Sequence, residues 1–317
     1  MKKIFVMLAA AVLSAGIMSA QDLNAALELA NQGNDAYTAG SPELALEAFQ
    51  QSLKIAEGLG EEGANHVETC KTAITNIYMT LAKNTYKEKN WDAAVEAFTK
   101  AKEVAEQYGN AEVAEEAAKL VVNSQTQKLL GLAAEAKKTK DAAGFAAAAD
   151  YYKQALELDP TNGGFAVQLG QTYISLKDWE NADAALNTAM ANGQEKNAAK
   201  LLAQLYLKRC QESLKASKLQ EAVDFANKSN EYAPSANAYK LGASAAVKMN
   251  NLPVAEEMYL KYLELKPNAA DASDIKVTLA ETYRKAGNKA KAKEYFQMLV
   301  NDPKYGATAQ QLLPTLN

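Results

Sequence analysis

The sequence predicts an all-α fold, a solenoid of about seven helix-turn-helix repeats closed by a C-terminal capping helix. Three observations predict it. One hairpin is written in full: Leu169, Thr172 and Tyr173 share a helical face, Lys177-Asp178 makes a polar turn, and Ala182, Leu186 and Ala189 line a second face that packs back. Within the first of these helices Gly170 lets a neighbouring backbone come close. The alanine of the second helix returns along the chain as Ala45, Ala94, Ala148, Ala182, Ala222, Ala255 and Ala292. Four residues after each stands Phe49, Phe98, Tyr152, Leu186, Ala226, Tyr259 or Phe296, and only Ala226 lacks bulk.

At these offsets the unit resembles a tetratricopeptide repeat (TPR), a family read from an aromatic, a Leu-Gly pair, a Tyr, an Ala, a second aromatic, an Ala and a closing Pro over ~34 residues. The closing proline is present as Pro160, Pro234, Pro267 and, one residue early, Pro303, and is missing after the first, second and fourth units. The resemblance implies a right-handed superhelical solenoid spanning residues 22–317 as one elongated domain.

Taken in order, the first hairpin covers about 23–57, with Gly33 in the close-packing place and Pro42 opening the second helix, where the missing N–H costs nothing. Gly58, Gly60 and Gly63 spell a dinucleotide fingerprint, but no strand precedes them and Glu61-Glu62 would face the pyrophosphate; a helix-ending loop is expected. The second and third units, about 64–107 and 111–160, have long first helices, because the alanine spacings there are 49 and 54 against 34, 40, 33 and 37 later. Helical periodicity continues to Tyr86 in one and to Lys137 in the other, and Thr139–Ala149 reads as a looser turn. The fourth to seventh units run about 163–194, 197–234, 236–267 and 271–303, and 305–313 is the cap that keeps the last apolar face from water.

At the N-terminus, Lys2-Lys3, the apolar run Ile4–Ile17 and Ala20 read as a signal peptide over 1–20, cut after Ala20. The run is shorter than the ~20 residues of a spanning helix, so no integral membrane segment is expected in the mature chain, which would be periplasmic or secreted. Removing Lys2 and Lys3 leaves 32 basic residues against 38 acidic ones and moves the formal charge from -4 to -6, which disfavours nucleic acid as a partner. Cys70 continues an apolar stripe and Cys210 stands where the central hairpin has Gly170, so both read as buried, unpaired residues.

The lone histidine, His66, reads as a solvated helix residue, and no nucleophile elbow, phosphate loop or zinc-ligand spacing occurs. No enzyme activity, cofactor or metal is expected. Adjacent carboxylates such as Glu115-Glu116 and Glu256-Glu257 point apart on a helix and read as solvated faces.

Stacked hairpins put their first helices along an inner groove, a surface suited to peptides and partner proteins. The resemblance implies the same. It places Lys83, Tyr86, Lys137, Lys140, Gln171, Gln211, Lys240, Glu281 and Arg284 in that groove, with Asn76, Met79, Ala133 and Ile174 beside them. The Lys-Asn-Arg set with which the family clamps a chain terminus is not reproduced. A basic strip of Lys83, Lys87, Lys137, Lys138 and Lys140 stands out at the groove entrance. The leading reading is an exported scaffold or adaptor for envelope proteins, with an outer-membrane or envelope complex as the partner class. The alternatives are a periplasmic carrier or holdase-type chaperone and an accessory subunit of an envelope enzyme.

Overall fold

The structure, a computed structural model, describes residues 20–316. The signal segment read over 1–20 lies, save its last residue, outside the described residues. Fifteen α-helices and no strand occur among the described residues. They are α1 (Ala20–Thr38), α2 (Pro42–Gly58), α3 (Ala64–Lys87), α4 (Trp91–Gln107), α5 (Ala111–Ala136), α6 (Ala142–Leu158), α7 (Gly163–Leu176) and α8 (Trp179–Ala191). Then follow α9 (Glu195–Lys215), α10 (Leu219–Tyr232), α11 (Ala236–Lys248), α12 (Leu252–Leu265), α13 (Ala272–Lys285), α14 (Lys289–Gln297) and α15 (Gly306–Leu312). Two compact units share them, one up to Gly131 and one from Leu132, with the division inside α5.

The alanine column makes the hairpins. All seven landmark alanines have no exposed surface, and every residue four positions on is buried. A Cβ at Gly170 would stand 2.5 Å from Leu186 Cγ, and one at Gly33 would stand 2.8 Å from the Phe49 ring. Each glycine is therefore the socket for the bulky residue of the returning helix. In the α9–α10 hairpin the roles trade volume: the larger Cys210 occupies the socket position and Ala226 replaces the bulky residue, both fully buried in one cluster. Both cysteines are free, and burial pushes the Cys210 thiol up to about 11.

Each hairpin turn carries one residue with left-handed backbone, at Gly40, Lys89, Lys140, Lys177, Ser217, Asn250 and Gly287. Six of them stand five residues before the landmark alanine, and Lys140 stands eight before Ala148. The reason is an additional turn of α6. The stretch Thr139–Ala149, expected to be loose, is helical from Ala142, because alanine is the strongest helix former and Asp141 caps the helix by accepting from the Gly144 N–H at 2.7 Å. The Gly58–Gly63 segment ends α2 and forms a 3₁₀ turn at Gly60–Gly63, and the long first helices α3 and α5 have 24 and 26 residues.

Within the second unit, tyrosines brace one hairpin against the next. Tyr206 of α9 donates to Asp183 of α8 at 2.6 Å. Tyr283 of α13 and Tyr295 of α14 both donate to Glu256 of α12 at 2.6 Å, and Lys291 pairs with the same carboxylate at 2.8 Å. Burial works to raise the Glu256 carboxyl, but the hydrogen bonds from Lys291 and the two tyrosines hold it below the usual range. Burial first, then the bond to Glu256, raises both phenols.

Two substitutions should move stability in opposite directions. Lys89→Gly removes a side chain from a left-handed position where it makes no ion pair among the described residues, and urea melts should show a gain of about 0.5 to 1 kcal/mol. Ala182→Leu, at a crossing with no free space, should cost roughly 1 to 3 kcal/mol; an unchanged midpoint would place the alanine column away from the helix contact.

The Glu256 cluster sets a pH dependence. A carboxyl whose folded pKa is depressed adds stability above its unfolded pKa and loses it as pH falls through the folded value. The raised phenols add stability that is full below about pH 10 and declines above it. Glu256→Gln should therefore cost roughly 1 to 3 kcal/mol at neutral pH and flatten both the acidic and the alkaline decline of the melting temperature.

Candidate functional site

Stacking hairpins with small residues between their helices leaves the outer surface of each first helix free of structural duty. In the first unit, α1, α3 and the start of α5 enclose an open groove of about 830 Å³. Tyr37 of α1 meets Thr80 of α3 at 2.7 Å. The Thr80 hydroxyl proton goes to the Asn76 carbonyl at 3.0 Å, so the phenol is the donor between the helices. Lys83 reaches Glu116 of α5 at 2.7 Å, closing the groove's far edge. Both side chains are about half exposed, so the pair contributes below about 1 kcal/mol. Thr69 and Thr72 satisfy their own helix carbonyls, while the exposed Asn34 and Asn76 amides have no partner among the described residues. The floor is apolar, from Phe49, Ile77 and Met79.

The sequence-predicted groove residues divide accordingly. Asn76 and Lys83 line this groove, whereas Met79 is buried in its floor and Tyr86 lies outside it. Tyr86 donates to Asn123 at 2.9 Å and packs edge-on against Trp91 and Phe98, a brace between α3, α4 and α5. In the second unit Lys137 reaches Gln168 at 3.3 Å and lies over the Tyr152 ring, and Lys140 is the left-handed residue of the turn. Ala133 is fully buried, and Ile174, also buried, contributes only to the wall of a small pocket. Gln171 and Gln211 are exposed on α7 and α9, and Gln211 lines a pocket of about 220 Å³ with Lys177, Trp179, Lys208, Glu212 and Lys215. Lys240 pairs with Asp271 at 2.5 Å, and Glu281 and Arg284 pair with each other at 2.7 Å.

Two of the five lysines of the basic strip are paired with carboxylates. Lys83 is held by Glu116 and Lys138 by Glu135. Lys83 and Lys87 belong to the first unit and Lys137, Lys138 and Lys140 to the second.

His66 departs from expectation. It is half-buried, with Nε2 2.8 Å from Ser52 Oγ and 3.5 Å from Cys70 Sγ. Ser52 donates its one proton to the Ala26 carbonyl at 2.7 Å. The imidazole N–H and the thiol therefore both point at Ser52 as donors, so His66 cannot accept the serine proton and the trio ties α1, α2 and α3 together. Burial raises the Cys70 thiol, against a smaller opposing effect of the Ser52 bond. The Ser52 partner of His66 comes from another helix, which the sequence spacing around His66 does not reveal.

No described helix is long and apolar enough to cross a membrane. Models of the tetratricopeptide repeat match residues 141–205, which span α6 to the middle of α9, and residues 273–299, which span α13 and α14. No curated protein matches the chain. Among solved structures, the chain is similar to MamA, with 21% identity over 59% of this chain and 96% of that one and a TM-score of 0.37. It is similar to YrrB, described as a TPR protein with an unusual peptide-binding site, with 20% identity over 69% and 100% and a TM-score of 0.32. A tetratricopeptide repeat protein from Parabacteroides merdae shares 15% identity over 93% and 99%, with a TM-score of 0.26. Repeats of this kind form protein–protein interaction scaffolds, and with two matched segments inside a row of seven like hairpins the chain is a tetratricopeptide-repeat protein.

Proposed function

We propose that the protein is an exported adaptor of the cell envelope that holds an extended segment of a partner protein in the α1–α3–α5 groove. The groove itself carries the reading: about 830 Å³, open along its length, with an apolar floor and a rim of hydroxyls and two unpartnered amides. A peptide main chain presents one donor and one acceptor per residue, which amides such as Asn34 and Asn76 match. A groove rimmed by polar groups, its charged ones Glu68, Lys83 and Glu116 each in an ion pair, favours one defined extended segment over the apolar, mixed clients of a carrier or holdase. Export is supported by Lys2-Lys3, the apolar run Ile4–Ile17 and Ala20.

Two measurements test this. A photo-crosslinking side chain at Asn76, used in the cell of origin, should capture one discrete partner, while the same group at the exposed Thr99 of α4 should not. A smear of many clients at Asn76 would replace the adaptor with a carrier. Mass spectrometry of the purified cellular protein should find a chain beginning after Ala20, and retention of Met1 on most molecules would remove the envelope from the proposal.

A further inference from the structure

The chain has one histidine and two cysteines, and folding sets the histidine against one of the cysteines. His66 and Cys70 are four residues apart on α3, so both side chains leave the same face of that helix. Ser52 of α2 completes a triangle with them. Its sides are 2.8 Å from His66 Nε2 to Ser52 Oγ, 3.4 Å from Cys70 Sγ to Ser52 Oγ and 3.5 Å from Sγ to Nε2. Cys70 and Ser52 have no exposed surface, while the imidazole is half-buried and gives the triangle an approach from solvent. Cys210 is buried as deeply, but in an apolar cluster.

Two protons converge inside the triangle. Ser52 gives its own proton to the Ala26 carbonyl at 2.7 Å, so its oxygen receives the imidazole N–H and the thiol S–H together. Without those protons, a nitrogen and a sulfur lone pair face the same point. A metal ion stands about 2.0 Å from an imidazole nitrogen and about 2.3 Å from a thiolate sulfur. At those lengths the 3.5 Å between Nε2 and Sγ subtends roughly 110° at the metal, within the range of three- and four-coordinate ions. Ser52 Oγ has lone pairs turned to that point and supplies a third, weaker donor while keeping its bond to Ala26.

Charge decides which ion fits. Among the described residues no Asp or Glu joins His66 and Cys70 in a metal-binding group, so the Cys70 thiolate is the one negative donor. A monovalent ion is neutralised by it, whereas a divalent ion leaves a positive charge uncompensated among buried groups. Thiolate and imidazole together suit a soft ion. We propose that His66, Cys70 and Ser52 form a binding site for one cuprous ion. Binding exchanges protons for metal with no change in oxidation state. The Cys70 S–H bond breaks, an S–Cu bond forms, and that proton leaves to solvent; the His66 proton moves from Nε2 to Nδ1 as Nε2 takes the metal. One proton is released per ion. Burial raises the Cys70 thiol, and the positive charge of the ion works in the opposite direction. Because Ser52 is bonded to α1, the ion fastens α1, α2 and α3 to one another.

The test is anaerobic titration of the protein, as purified from its cells, with cuprous ion held by the chromophoric chelator bicinchoninate. Wild type should withdraw one ion per chain, and Cys210→Ser should do the same. Cys70→Ser should abolish the uptake, and His66→Gln should weaken it by roughly tenfold or more. Circular dichroism of each variant checks folding, and His66→Gln, at a half-buried position, keeps the test decisive should Cys70→Ser perturb the core. Cuprous ion should raise the melting temperature of wild type and not that of Cys70→Ser. X-ray absorption at the copper edge should find one sulfur and two lighter neighbours. No uptake by wild type, uptake retained in Cys70→Ser, or loss in Cys210→Ser would overturn the proposal. Two sulfurs at copper, or tighter binding of zinc than of cuprous ion, would overturn it as well. The groove reading is tested separately, by partner capture at Asn76.

Discussion

The structure depends on how closely two helices can cross within a hairpin. Seven alanines with no exposed surface, each followed four residues later by a buried partner, hold that distance along the chain. Close crossing increases the number of dispersion contacts and leaves no space for a larger residue, so the volume across the contact is constrained more tightly than either residue alone. The α9–α10 hairpin makes this visible. Cys210 is larger than Gly33 and Gly170 of the α1–α2 and α7–α8 hairpins and Ala226 is smaller than their Phe49 and Leu186, and both are fully buried in one cluster.

This constraint explains what the sequence disclosed and what it did not. A site that tolerates one small residue type leaves a column that can be counted, and the bulky residue beside it follows from the helical period. The turns left a weaker trace. Lys89, Lys140, Lys177, Ser217 and Asn250 hold left-handed backbone that only glycine adopts freely, and a strain of about 1 to 2 kcal/mol is absorbed by the packing on either side. A lysine in a turn announces nothing of this. The added turn of α6 was hidden for a different reason: Gly144 inside an alanine run reads as a breaker, while the Asp141 cap and alanine's helix propensity outweigh it.

The candidate site was legible as a face and poorly legible as a set of residues. Offsets along a helix identified Asn76, Lys83, Gln171 and Gln211 as surface positions, while Met79 and Ile174 of the same face are buried and reach the pockets only as floor. The pairing within the lysine strip was hidden for a physical reason. Whether a lysine is free depends on carboxylates far away in the chain, and Lys83 finds Glu116 on another hairpin. The same distance hid the role of His66, whose Ser52 partner lies on α2 and is itself committed to α1.

Acidic and basic residues answer to different demands in the second unit. Asp183 and Glu256 sit on second helices because tyrosines of the next hairpin need acceptors there, and Asp271 takes both Tyr262 and Lys240. Those carboxylates are part of the packing between hairpins, held below their ordinary range in the cases of Glu256 and Asp271 by the groups that donate to them. Lys200, Lys208 and Lys215 of α9 and Lys248 of α11, exposed and in no ion pair among the described residues, have no such task. Removing them would leave no buried group unsatisfied. Packing therefore accounts for where the acids are and leaves this basic stripe without a structural cause.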